Sequence, residues 1–108
     1  MSATLKMVEE MILNGEEFIV HCKTMEMRQN FFEYAEKLGI IWKSGHNIFD
    51  FLPGYLSFRI HENKMVQQNE EYYIAKFKNI PQFVWSEVLD DSFKIEFDEG
   101  EFEKILGV

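Results

Sequence analysis

The chain has little with which to staple, kink or anchor itself: one cysteine, two prolines, six glycines and no long apolar run. Cys22 alone allows no internal disulfide, so a hydrophobic core has to hold the fold. No stretch approaches the roughly 20 apolar residues that cross a bilayer. Positive charge is scarce too, with 11 Lys and Arg against 19 Asp and Glu and a net charge of −8. Binding to phosphates needs clustered Lys and Arg, so direct nucleic-acid binding is not expected, and anionic lipid would repel the chain. With one thiol and no basic-then-apolar leader, the expected location is the cytoplasm.

What is present is apolar and aromatic. At 108 residues, 46% hydrophobic and 16% aromatic, the chain is read as one domain, 1–108, large enough for a self-supporting core. Eleven Phe, four Tyr and two Trp exceed what one small core requires. Some rings are therefore expected at the surface, either as an interface or as scattered exposed side chains.

Leu5, Val8, Met11 and Ile12 recur at helical spacing until Asn14-Gly15 stops them, which predicts a helix over 3–14. Glu17 to Cys22 alternates and reads as a central strand with both faces partly buried. Thr24 is placed to cap a second helix, whose stripe of Met27, Phe31, Tyr34, Ala35 and Leu38 ends at Gly39. Ile40, Ile41 and Trp42 form a strand closed by the Ser44-Gly45-His46-Asn47 turn. Tyr55 to His61 alternates cleanly, and Glu62-Asn63-Lys64 is a hairpin turn into Met65 to Gln68. Tyr72 to Lys78 reads as a further strand and completes an antiparallel meander. After Pro81, Gln82 to Leu89 fits a helical turn or an edge strand, Phe93 to Phe97 alternates as a strand, and Asp98 can cap a last turn through Leu106. The fold class is α+β: a small, mainly antiparallel sheet with two or three helices packed on one face.

Catalytic signatures are missing. His21, His46, His61 and Cys22 lack the close pairing of a zinc site, and His21 and Cys22 point to opposite faces of a strand. No metal and no cofactor are expected, and Cys22 reads as a core thiol. Asp50 with Glu62-x-Lys64 loosely fits a metal-dependent nuclease, but Glu62 falls in a predicted turn. There is no phosphate-cradling glycine loop and no G-x-S-x-G. Trp42 and His46 can form a ligand loop with two flat faces; the plain alternative is a buried Trp at a strand end followed by a tight turn.

The last 23 residues hold eight carboxylates and two lysines. Glu96, Asp98, Glu99, Glu101 and Glu103 alternate with Phe93, Ile95, Phe97 and Phe102. On a strand such alternation sets charge at about 6 to 7 Å intervals, near the phosphate spacing of a nucleic-acid strand. The expected partner surface is therefore Asp90, Asp91, Glu96, Asp98, Glu99, Glu101 and Glu103, with Tyr72 or Trp85 as aromatic anchors. A face that merely keeps a Phe-rich protein in solution is the alternative.

Val20-His21-Cys22-Lys23-Thr24, a helix, and then Gly39-Ile40-Ile41-Trp42-Lys43-Ser44-Gly45 form a pattern over about residues 16 to 46. It resembles small, largely uncharacterised phage and prophage proteins that share V-H-C-x-T and G-x-x-W-x-S-G. The resemblance implies a related fold and, by analogy, an anti-defence inhibitor such as the anti-CRISPR proteins that cover a nuclease groove. The reading is a non-enzymatic, phage-encoded inhibitor, in the cytoplasm of a bacterial host, that covers a basic surface of a nucleic-acid or defence enzyme. A small-ligand or nucleotide sequestering protein and a metal-dependent nuclease are the alternatives, and a homodimer is compatible with spare aromatics and strand edges.

Overall fold

The computed structural model describes residues 4–51 and 54–96. It is an α+β fold, with four α-helices and a five-stranded sheet. Thr4 opens α1 (Leu5–Leu13) by accepting a hydrogen bond from the Met7 amide, and Gly15, at φ 71°, lets the chain leave the helix. β1 (Phe18–His21) follows, buried at every position. Thr24 caps α2 (Met25–Lys37) through the Met27 amide at 3.1 Å, as expected, and Gly39 at φ 78° ends it. β2 (Ile41–Trp42) is only two residues long.

A single 3₁₀ turn at Ile48–Asp50 leads to β3 (Ser57–His61) and β4 (Lys64–Gln68). Glu62 and Asn63, both at positive φ, make the tight turn expected of a two-residue hairpin. α3 (Glu70–Lys76), β5 (Gln82–Val84) and α4 (Trp85–Glu96) complete the described chain.

The strand order is β2-β4-β3-β1-β5. β3 pairs antiparallel with β1 and β4, whereas β1–β5 and β2–β4 are parallel. The sheet is thus mixed, with β3 alone reversed. The predicted strand-helix-strand unit exists as β1-α2-β2, but the β3–β4 hairpin is slotted between its two strands. The expected meander reduces to that one hairpin.

Three further expectations are corrected. Tyr72 to Lys78 is largely helix, because Asn69 accepts a hydrogen bond from the Tyr72 amide at 2.8 Å and Glu70 and Glu71 favour the helix N-terminus. Phe93 to Glu96 belongs to α4, whose Trp85, Val88 and Leu89 sit at helical spacing. Helices also cover both faces of the sheet. The main core joins Val8, Phe31, Phe32, Ala35 and Trp85 to Phe18, Val20, Phe58, Ile60 and Met65. α3 lies on the other face, where Tyr73 donates to the Val66 carbonyl and Phe77 lies under the Arg59 guanidinium.

Most of the aromatic excess is core. Phe31 meets Trp85 edge-on at 4.9 Å and Phe32 meets Phe58 at 5.1 Å, while Trp42 packs on Phe32 at 5.8 Å. Trp85 has no exposed surface and donates its indole N–H to Asn30 at 2.8 Å. Replacing Trp85 with Ala removes the ring that joins α4 to α2. Urea denaturation should show a loss of about 3–5 kcal/mol for Trp85→Ala. A loss below about 1 kcal/mol would mean that the site collapses without cost.

Candidate functional site

Where the expected acidic ladder falls within the described residues, from Phe93 to Glu96, the backbone is helix and not strand. Asp90, Asp91 and Glu96 fall on α4, whose backbone advances only about 1.5 Å per residue, less than half the rise of a strand. Asp98, Glu99, Glu101 and Glu103 lie outside the described residues. The phosphate-like spacing therefore has no counterpart from Phe93 to Glu96.

Negative charge is instead spread over the outer side of the helical layer. Glu9 and Glu10 on α1, Glu26, Glu33 and Glu36 on α2, and Glu87 and Asp90 on α4 are all exposed. Among the described residues none of these seven forms a salt bridge, since the ion pair found there is Arg59 with Glu17. This surface was missed because its carboxylates are dispersed over three helices and gather only when the helices pack.

Neither expected aromatic anchor is free. Trp85 is wholly core. Tyr72 is half-buried on α3, with its ring against Tyr73, Phe77 and the Lys76 ammonium. Trp42 also follows the plain alternative. Its ring is 6% exposed, and its N–H donates to the Ile48 carbonyl at 3.0 Å. The accessible ring at this loop is Phe51, 49% exposed, met edge-on by His46 at 4.8 Å. His46 is in turn hydrogen-bonded to Ser44 at 2.9 Å. A cavity of about 370 Å³ opens here, between Trp42, Phe51, Met65 and the start of the hairpin's outer edge.

The second nuclease element has the geometry of a turn. Glu62 sits at the hairpin tip, and the Asp50 carboxylate accepts from the Asn47 amide at 3.1 Å, closing the 3₁₀ turn. No group of three or more His, Cys, Asp or Glu able to hold a metal occurs among the described residues.

One buried polar chain went unread in the sequence. Gln82 donates its amide to the Tyr73 and Phe77 carbonyls, which leaves its oxygen to accept from His21 Nε2 at 2.6 Å. His21 Nδ1 then accepts from the Ser57 hydroxyl at 2.7 Å. Ser57 and His21 stand as nucleophile and base do, but a neutral amide occupies the place where a carboxylate would stabilise an imidazolium. Ser57 is 2% exposed. The chain spans β3, β1 and β5 and supplies the partners that a histidine on a buried strand requires. Cys22 points the other way, into the main core, and burial pushes its thiol up to about 12 despite the opposing pull of Arg28.

Comparison with protein-family models, with curated proteins and with solved structures finds no match to this chain. No helix among the described residues is long and apolar enough to cross a membrane.

Gln82→Ala strands two backbone carbonyls and the His21 N–H, and denaturant melts should record a loss of about 1–3 kcal/mol. An unchanged midpoint would show the chain to be dispensable. Alkaline pH gives a second test. Burial raises Cys22, Tyr34 and Tyr73 to about 12 in the folded protein, from ordinary values of 9.0 for the thiol and 10.0 for the phenols. The unfolded chain then loses these protons first, so stability is full below pH 9 and falls as pH rises toward 12. Cys22→Ala should flatten the part of that decline that begins near pH 9, and a pH-stability curve identical to the parent's would contradict the assignment.

Proposed function

We propose that the protein is a non-enzymatic interaction protein that lays its acidic helical side on a cationic surface of a partner. The observation that carries this reading is the set of seven exposed carboxylates on α1, α2 and α4 with no salt bridge among the described residues. The same three helices carry nine Asp and Glu against Lys6, Arg28, Lys37 and Lys94, so their net charge is negative. Such a field speeds and orients encounter with a cationic patch and repels nucleic acid.

Affinity needs more than charge, because desolvated apolar groups commonly dominate it. Met7 and Leu13 on α1 and Met25 at the start of α2 are exposed and supply apolar contact in place of the buried Trp85. The partner class that fits is a nucleic-acid enzyme whose basic groove can be covered. The phage and prophage resemblance of residues 16 to 46 supports the narrower version, an anti-defence inhibitor of the anti-CRISPR kind acting in the bacterial cytoplasm.

The test is retention of a partner from bacterial lysate by the parent protein and by a variant with Glu9, Glu10, Glu33 and Glu36 changed to Lys. The parent should retain a nucleic-acid enzyme, release it as ionic strength rises, and lose it to competing nucleic acid. The variant should retain none while keeping the parent's circular dichroism. Equal retention by both, or a complex indifferent to salt, would sink the reading.

A further inference from the structure

Two cavities meet where the sheet runs out of strands. β2 stops at Trp42, and Lys43 makes the last bond to β4, from its amide to the Met65 carbonyl at 3.1 Å. Among the described residues, no strand lies beside the outer edge of β4 from Val66 onward. The cavity of about 370 Å³ at Trp42, Phe51 and Met65 occupies this gap. A second cavity, of about 310 Å³, lies on the sheet face that α3 leaves uncovered at this end, and Lys43, Arg59, His61 and Lys64 are among the residues that line it. The register explains their convergence, since Arg59 opposes Val66 and His61 opposes Lys64, which puts all four on one face. Lys43 and Val66 line both cavities, so the two are contiguous.

The two halves have complementary chemistry. In the polar half, Arg59 is held by Glu17 at 2.6 Å and rests on Phe77 at 5.0 Å, which fixes its guanidinium. Lys43 and Lys64 form no salt bridge among the described residues. Among the described residues, Glu62 is the one carboxylate lining that cavity, so positive charge prevails in this lining although the chain's net charge is −8. In the apolar half, Phe51 offers an accessible ring braced by His46. A cation cluster in a concavity recruits an anion, and an exposed ring in an apolar cavity recruits a flat aromatic group.

We propose that the joined cavities are one binding site for a nucleoside phosphate, with the phosphate beside Lys43 and Lys64 and the base against Phe51. Neither half accounts for the other: a free phosphate would leave the ring unused, and an uncharged aromatic would leave the lysines unused. The site lies away from the acidic helices and does not depend on the docking reading.

The experiment is an amide NMR titration with AMP, GMP, CMP and UMP, with the matching nucleosides, and with inorganic phosphate. At least one nucleotide should shift the amides of Lys43, Ser44, Lys64 and Val66, and bind about tenfold or more tightly than its nucleoside or phosphate alone. Changing Lys43 and Lys64 to Glu should weaken that nucleotide by about tenfold and leave its nucleoside unaffected. Phe51→Ala should weaken nucleotide and nucleoside alike. These are exposed positions, and retained spectral dispersion shows that the variants fold. The proposal fails if no nucleotide shifts these amides at millimolar concentration, if phosphate binds as tightly as the nucleotides, or if the lysine variant binds like the parent.

Discussion

β1 is buried at all four of its positions, and a strand with no solvent face needs cover on both sides. Phe18 and Val20 find it in the aromatic core beneath α1, α2 and α4. Ile19 and His21 face the other way, and α3 is the element available to close that side. β1 also needs a neighbour on each edge, which β3 supplies antiparallel and β5 parallel. The Ser57, His21 and Gln82 chain is the polar consequence: placing an imidazole on a doubly covered strand obliges the flanking strands to supply its partners. The same Gln82 reaches the carbonyls of Tyr73 and Phe77, so β5 and α3 are positioned by one side chain.

The sequence carries local structure further than long-range structure. Caps, stops and alternation located α1, β1, α2, β2 and the β3–β4 hairpin, because Thr24, Gly39 and Glu62-Asn63 act within a few residues of themselves. Tyr72 to Lys78 misled because Tyr, Ile and Phe are favoured in strands, whereas Asn69 and two following glutamates set a helix start just upstream. The parallel placement of β5 left no local trace: three half-buried residues after a proline fit an edge strand of either direction. Site residues were harder still. Trp85, read as a partner anchor, and Trp42, read as either a ligand-loop ring or a buried ring at a strand end, are both core, while Phe51, beside no conspicuous motif, is exposed.

Charge is partitioned by the layers of the fold. The helices that cover the main core turn their carboxylates outward, and the sheet's far face, where α3 falls short, gathers Lys43, Arg59 and Lys64. Sheet alternation makes this economical, since every core-facing residue on β3 or β4 is flanked by one that faces away. Arg59 is the clearest case: its neighbours Phe58 and Ile60 are buried, while its own side chain crosses to Glu17 and Phe77 on the other face.

Distance then decides whether the two charged surfaces interfere. A helix is about 10 Å across and packs on a sheet at a comparable spacing, so the outer helical side and the far sheet face are separated by more than the Debye length of about 8 Å at physiological ionic strength. The carboxylates therefore repel an approaching anion from the helical side without cancelling the field of the lysine cavity behind it. An anion meets an attractive concavity from one direction, and a cationic protein meets an acidic layer from the other. Occupancy of the cavity changes the charge seen at the helical side very little at such salt, so docking and ligand binding are electrostatically independent unless the fold itself couples them. The physical link between them is β1 and the hairpin beside it, which carry the core residues on one face and Arg59 on the other.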